Sequence, residues 1–473
     1  MRGDTLSFPC PLRSTALAAP ETAALIGAGG AISYEELDGI VSAVALRLGE
    51  LEPGSRVALC LQRDERYVAL VLALIRAGHV ACPVSDRLPP RGVAQFLERV
   101  ACSALISEDE ELLQTASAAL HGLRPEDLLG EVKQHAELID IPLGRSATII
   151  FTSGSTGAPK AALHTFGNHL DSALGSNANI ALKPGDRWLH SLPLYHVGGL
   201  SILFRCLLAG ATVALPQQGT PLGEAIVGLG ATHVSLVPTQ LSRLLREDAD
   251  LNALEAILLG GGPIQPSLVE EARARGLPVH TSYGLTEMAS QVTTTPPGAS
   301  SEELLTAGRV LPNREVSISG EGEILVRGET LFAGYVEGGG LDRPLDAGGW
   351  FHTGDLGELN ESGYLRVRGR MDNLFISGGE NVQPEEIEES LTRLEGVAEA
   401  VVVPVPEEEF GARPVAFVRT DGGVRDLSRE LEPVLPRFKI PISFHPWPEE
   451  ARRGMKADRT ALRRLALRLR NER

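Results

Sequence analysis

Hydrophobic and polar positions follow two periods in turn along the first half of the chain. After Ile32-Ser-Tyr-Glu-Glu, the residues Leu37, Ile40, Val41, Val44 and Leu48 recur at three- and four-residue spacing, which predicts one buried helix face. Pro53-Gly54 then breaks the chain before Arg56-Val-Ala-Leu-Cys-Leu61, a short buried strand. Tyr67 to Ala77 reads as a helix closed by Gly78, and Val80 to Val84 as the next strand. Further strands are expected from Trp188 to Leu192, Thr212 to Leu215, His233 to Val237 and Ala256 to Leu259. Helix-sized intervals, such as Gly198 to Ala209 and Thr239 to Arg246, separate them. This alternation implies βαβ units and a parallel sheet, whose ligands gather beyond the carboxyl ends of the strands.

From about Arg314 the period changes to two. Val316-Ser-Ile-Ser, Glu323-Ile-Leu-Val-Arg and Tyr364-Leu-Arg-Val-Arg alternate apolar and polar residues, as half-exposed antiparallel strands do. A boundary is expected near Gly369-Arg-Met-Asp372, followed by a helix from Pro384, a strand from Ala398 to Val403 and a basic last helix. A chain of 473 residues exceeds one simple core. The expected fold is α/β. Residues 1–371 form a large domain of mostly parallel αβ layers with a small antiparallel β subdomain, and residues 372–473 a small mobile α+β domain.

Composition narrows the class. Aromatics make up only 4% of residues, so the core must rely on small and branched aliphatics. The net charge of −17 argues against a nucleic-acid surface, which is normally basic, yet leaves room for a local anion pocket. Five cysteines without a C-x-x-C pair define neither a disulfide framework nor a zinc site. The longest apolar run, Val68 to Ile75, is too short for a bilayer, so a cytoplasmic enzyme without membrane insertion is expected. Nothing in the pattern sets the subunit count, a homo-oligomer included.

The densest local chemistry lies in Thr148-Ile-Ile-Phe-Thr-Ser-Gly-Ser-Thr-Gly-Ala-Pro-Lys160. A short β-branched run gives way to Thr152, Ser153, Gly154, Ser155, Thr156 and Gly157, closed by Lys160. Hydroxyls, unshielded N–H groups and a cation together suit a polyphosphate. The spacing is not that of a Walker A loop. Thr281-Ser-Tyr-Gly-Leu-Thr-Glu287, expected just after a strand, adds an aromatic face, a hydroxyl and a carboxylate suited to a hard cation such as Mg²⁺. Trp350-Phe-His-Thr-Gly-Asp355 places a carboxylate at an expected loop end, suited to a vicinal diol that Arg370 could share. Taken singly, Tyr283 also fits a core position, Glu287 a helix first turn and Asp355 a turn.

In combination, T-S-G-S-T-G-x-P-K, S-Y-G-L-T-E, G-W-F-H-T-G-D-L-G and G-R-M-D-N-L-F-I-S-G-G-E-N-V-Q-P-E-E-I-E resemble the core motifs of the adenylate-forming superfamily. That superfamily comprises acyl-CoA synthetases, peptide-synthetase adenylation domains and luciferases. The resemblance runs from about residue 30 to the carboxyl end, and it implies ATP, Mg²⁺ and CoA. By it, Thr152 to Lys160 wraps the β- and γ-phosphates, and Gly260, Gly261, Gly262 and Pro263 with Tyr283 sandwich adenine. Thr286 touches the α-phosphate, Glu287 binds Mg²⁺, and Asp355 with Arg370 holds the ribose hydroxyls. Gly454-Met-Lys456 resembles the carboxyl-terminal lysine motif, whose lysine orients the carboxylate and the ribose 5′ oxygen; here Met455 stands where many members have glycine. Asp372 falls at the hinge position, with Gly378 and Gly379 at the thiol tunnel. His196 resembles the gate residue of the acid pocket, a satisfied core histidine being the other reading.

Three stretches are similar to the 2-succinylbenzoate–CoA ligases of menaquinone biosynthesis: Leu192-Pro-Leu-Tyr-His-Val-Gly-Gly-Leu-Ser, Thr232-His-Val-Ser-Leu-Val-Pro-Thr-Gln-Leu and Thr286-Glu-Met-Ala-Ser-Gln291. Such a substrate, a small-molecule dicarboxylate with a ring, needs polar donors beside apolar walls; Ser290, Gln291, Thr239 and Arg205 are available. The implied reaction joins carboxylate and ATP as acyl-AMP, then passes the acyl group to CoA and releases AMP. The same chemistry on another aryl or medium-chain acid stays open. So do a carrier-protein acceptor, a nucleotide-binding regulatory module without turnover, and a phosphotransferase, which would release ADP.

Overall fold

The computed structural model describes residues 6–115, 120–130, 139–152, 160–337, 340–377, 380–407, 410–420, 422–424, 426–448, 452–453 and 456–471. Local signals start and stop the helices where the pattern changes. Ser33 and Glu36 exchange side-chain and backbone hydrogen bonds in a capping box that opens Tyr34–Leu48. Asp64 caps Glu65–Ala77, and Gly78 ends it with φ +86°. The expected strands appear as Arg56–Cys60, Val80–Pro83, Thr212–Ala214, His233–Leu236 and Ala256–Leu259. Arg187–Leu189 stops short of Leu192, because the Ser191 N–H folds back onto the Leu189 carbonyl at 2.9 Å and Pro193 has no donor to continue the ladder.

Two large sheets carry the amino-terminal part. In the eight-stranded sheet, Ser146–Thr152, Val80–Pro83, Arg56–Cys60, Ala104–Ser107 and His121–Leu123 run parallel in that order. Lys160–Thr165, Gly334–Glu337 and Gly340–Asp342 extend its other edge antiparallel. The nine-stranded sheet has a parallel centre of Val279–Leu285, Ala256–Leu259, His233–Leu236, Arg187–Leu189, Thr212–Ala214 and Ala23–Gly27. A four-stranded antiparallel sheet follows, ordered Arg314–Ile318, Glu323–Gly328, Phe351–Leu359 and Leu365–Arg370. Beyond it, Val397–Glu407, Gly411–Thr420 and Phe444–Pro446 form a three-stranded sheet accompanied by the helices Pro384–Thr392 and Arg459–Asn471. The α/β class and its antiparallel annex are as the periodicity predicts.

Two motif placements differ from expectation. Thr281 to Leu285 lies inside the strand Val279–Leu285, and Asp355 inside Phe351–Leu359. Each strand is prolonged by an antiparallel partner: Leu365–Arg370, which the alternation from Tyr364 predicts, and Ser290–Thr294, which local sequence does not announce. Sequence-distant pairing outweighs the turn signals of the glycines.

The main core draws on both large sheets: Leu25 and Val213 from one, Val57, Ile106 and Ile150 from the other, with Val41, Leu70, Phe166 and Phe204 from helices. Each fully buried branched side chain contributes about 1.5–3 kcal/mol. His190, fully buried after Arg187–Leu189, is held neutral: burial, then the nearby Arg63 charge, push its pKa down to about 3. A lowered imidazole pKa contributes stability that is complete above the unfolded value of about 6.5 and is lost as pH falls below it. Urea denaturation at pH 5 is expected to give about 2 kcal/mol less from this group than at pH 7. His190→Gln should flatten that slope; an unchanged slope would refute the assignment.

Candidate active site

Thr152 ends Ser146–Thr152 and Lys160 begins Lys160–Thr165, and the two residues face each other across the ladder. The hydroxyl-rich loop therefore leaves and re-enters the sheet at one point. Ser153, Gly154, Ser155, Thr156 and Gly157 lie outside the described residues, as do Gly378, Gly379, Gly454 and Met455.

Tyr283, Asp355 and Arg370 form one bonded chain. The Tyr283 hydroxyl donates to Asp355 Oδ2 at 2.7 Å, and Arg370 Nη1 donates to Asp355 Oδ1 at 2.9 Å. Strand register sets the second contact, because Asp355 and Arg370 are cross-strand partners. Burial opposes the Arg370 charge, but Asp355 and Asp372 beside it raise its pKa. Burial and the Asp355 charge push the Tyr283 phenol well up, so it serves as a donor. Gly354, at φ +69°, gives its N–H to Glu323 Oε1 at 2.8 Å; a Cβ there would lie 2.9 Å from Arg370 Nη2.

Thr286 and Glu287 occupy a single 3₁₀ turn, Thr286–Met288. Three groups from elsewhere in the chain pin it. His164 Nε2 donates to the Thr286 carbonyl at 2.7 Å, the Phe332 N–H to the Glu287 carbonyl at 2.8 Å, and the Tyr335 hydroxyl to Glu287 Oε1 at 2.5 Å. Burial raises the Glu287 pKa, and the Tyr335 hydrogen bond opposes that rise. Lys160 Nζ stands 4.8 Å from the centre of the Tyr335 ring. Carboxylate oxygen is the donor chemistry Mg²⁺ takes, usually one or two carboxylates plus substrate phosphates. Among the described residues no group of three or more His, Cys, Asp or Glu forms a metal cage. Glu287 therefore fits an ion shared with a polyphosphate.

The backbone next to this turn is strained. Ala289 and Ser290 have φ of +51° and +118°, conformations that cost about 1–3 kcal/mol each for residues with a Cβ. Gly284 makes the close strand approach possible, since a Cβ there would lie 2.2 Å from the Ser290 carbonyl oxygen. The strained turn aims Ser290 Oγ at Arg205, whose Nη2 donates to it at 3.2 Å. Arg205 is 1% exposed, its Nε and Nη1 have no hydrogen-bond partner among the described residues, and burial lowers its pKa to about 10. Its guanidinium lies 5.1 Å from the Trp188 ring centre, and the buried Gln291 has an unpartnered Oε1 as well.

The remaining expected residues sit on other elements. Gly261, Gly262 and Pro263 form the loop after Ala256–Leu259, reaching the site through Gly260, against whose Cα Ser282 Oγ packs. His196 is exposed at the N-cap of Val197–Ala209, edge-on to Tyr195 with ring centres 4.8 Å apart, so it is no core histidine. Lys456 is described in its backbone, within the two-residue strand Lys456–Ala457. Sequence reading passed over His164 and Tyr335. Period-two spacing from Lys160 puts His164 on the same strand face, a signal legible only once the strand is known.

Fold and site together define a nucleotide-dependent enzyme that activates a carboxylate. The chain matches the AMP-binding enzyme family over residues 12–336 and the AMP-binding enzyme C-terminal domain over residues 386–450. It belongs to the AMP-binding enzyme family. It is 38% identical over 411 residues to the 2-succinylbenzoate–CoA ligase of Escherichia coli (strain K12), covering 87% of each chain. Its fold is similar to that of the o-succinylbenzoate CoA synthetase (MenE) from Bacillus subtilis in complex with the acyl-adenylate intermediate OSB-AMP. That match has a TM-score of 0.87 and 32% identity, over 97% of this chain and 98% of that one. The same synthetase in complex with ATP and magnesium ion matches with a TM-score of 0.83 and 32% identity, over 93% and 96%. Among the described residues no helix is long and apolar enough to cross a membrane.

Proposed function

We propose that this chain is an ATP-dependent 2-succinylbenzoate–CoA ligase serving menaquinone biosynthesis. A carboxylate oxygen of the acid attacks the α-phosphorus of ATP, the α–β phosphoanhydride bond breaks, and pyrophosphate leaves. The CoA thiolate then attacks the acyl carbon, and AMP leaves. In this reading Thr152 to Lys160 holds the leaving phosphates, Gly261 to Pro263 and Tyr283 flank adenine, and Asp355 with Arg370 holds the ribose diol. Thr286 contacts the α-phosphate, and His196 gates the acid pocket. Glu287 would hold Mg²⁺, which when bound neutralises phosphate charge. We place the boundary between residues 371 and 372, with Lys456 brought to the site by the smaller part. A cytoplasmic location and free CoA as acceptor complete the proposal.

The observation that carries the substrate reading is Arg205. A buried guanidinium with two unpartnered nitrogens, facing Ser290 beside the Thr286–Glu287 turn, is a receptor for a second carboxylate. A simple fatty acid has no group to meet it. CoA-dependent AMP formation is expected with 2-succinylbenzoate and at most about 1% of that rate with benzoate or octanoate, a discrimination of about 3 kcal/mol. Equal rates across the three acids would refute the substrate, and ADP as product would refute the reaction.

A further inference from the structure

The carboxylate assigned to the metal is held by a tyrosine that no motif contains. Tyr335 sits on Gly334–Glu337, the strand next to Lys160–Thr165, with Ala162 directly opposite. Lys160, Ala162 and Tyr335 therefore share one sheet face. The ring is 8% exposed and meets Phe332 edge-on at 4.7 Å; Phe332 in turn meets Phe351 edge-on at 5.5 Å. That packing leaves the hydroxyl one direction, toward Glu287 Oε1 at 2.5 Å. Among the described residues the carboxylate also meets Glu287's own backbone N–H, and no other side chain bonds it. Phe332, three residues earlier, ties the Glu287 carbonyl through its N–H at 2.8 Å. One short segment thus fixes both the main chain and the carboxylate of Glu287, while the face of the same ring receives the Lys160 ammonium at 4.8 Å.

We propose that Tyr335 is a positioning residue for the metal-binding carboxylate. Its hydroxyl holds one oxygen of Glu287 so that the other is presented to a divalent cation, and its ring keeps the loop lysine beside that carboxylate. The inference rests on Glu287 being the metal ligand. Groups that orient a ligating carboxylate are worth about 10–100-fold in metal affinity. Removing the hydroxyl while keeping the ring leaves the contact with Lys160 in place and acts through Glu287.

The test measures Mn²⁺ affinity by electron paramagnetic resonance in the presence of a non-hydrolysable ATP analogue, together with the Mg²⁺ concentration that half-activates pyrophosphate exchange. Tyr335→Phe keeps the ring and its packing and is expected to weaken both about 10–100-fold, with an unchanged melting temperature. Glu287→Gln should weaken Mn²⁺ binding at least as much, and adding Tyr335→Phe to it should cost nothing more. If Glu287→Gln leaves Mn²⁺ affinity intact, the metal assignment itself fails. If Glu287→Gln weakens binding while Tyr335→Phe does not, or if the two losses add, the role of Tyr335 is overturned.

Discussion

Lys456→Ala is expected to lower acyl-adenylate formation by about 10³-fold, while thioester formation from pre-made adenylate stays within about threefold of the parent. The first half-reaction gathers negative charge on the α-phosphate as a carboxylate, itself anionic, approaches it. Lys160 sits at the end of the polyphosphate loop and Arg370 is spent on Asp355, so neither is free for that point. In the proposed mechanism a further cation, Lys456, is supplied by the carboxyl-terminal part. The strand Lys456–Ala457 pairs with Arg452–Arg453 and leads directly into the last helix. Arg459 anchors that junction, donating to Glu388 Oε1 at 2.6 Å, Glu388 Oε2 at 2.7 Å and the Val402 carbonyl at 2.7 Å. In the proposed mechanism the lysine moves with the carboxyl-terminal part and is withdrawn before CoA enters. Pyrophosphate exchange and single-turnover thioesterification of synthetic adenylate separate the two steps. Parental exchange rates in the variant would refute the assignment, and equal loss in both steps would refute its restriction to the first.

Arg205→Leu is expected to raise KM for the acid by about 10²–10³-fold, leave KM for ATP unchanged, and leave the melting temperature equal or higher. The two halves of this expectation have one cause. A buried charge without a carboxylate partner penalises the free protein, and burial depresses the pKa of Arg205 to about 10 for that reason. Arg314, also buried and held down to about 9 by burial and then by Arg205, adds like-charge repulsion. Leucine removes that cost and, with it, the cation–π contact with Trp188. In the proposed reading a substrate carboxylate supplies the missing partner, and in a dry site one such pair is worth about 2–5 kcal/mol. Thermal melting and initial rates over a range of acid concentrations decide it. A fall in stability together with unchanged KM would make Arg205 a structural residue.

Arg205 is a group that the native fold holds at a cost, and the same pattern recurs in the positive φ of Ser290. Strain and unpaired charge collect beside the Thr286–Glu287 turn, next to the proposed acid pocket.

The one-dimensional pattern by itself determined a great deal. Amphipathic spacing located the helices Tyr34–Leu48 and Glu65–Ala77, and Gly78 marked the end of the second, while the caps Ser33 and Asp64 became clear in the structure. Period-two alternation separated the antiparallel annex from the parallel layers. The density of hydroxyls, glycines and charges in four short motifs pointed to a nucleotide-dependent enzyme, because phosphate and ribose chemistry needs those groups close together. Tertiary structure alone decided which groups meet. Asp355 and Arg370 face each other through strand register, Tyr283 joins them from another sheet, and Tyr335 reaches Glu287 across 48 residues. It also decided that Arg205, one of four equivalent polar candidates in the sequence, is the buried guanidinium left without a carboxylate. Burial, register and unsatisfied charge arise from contacts between distant segments, and no local pattern encodes them.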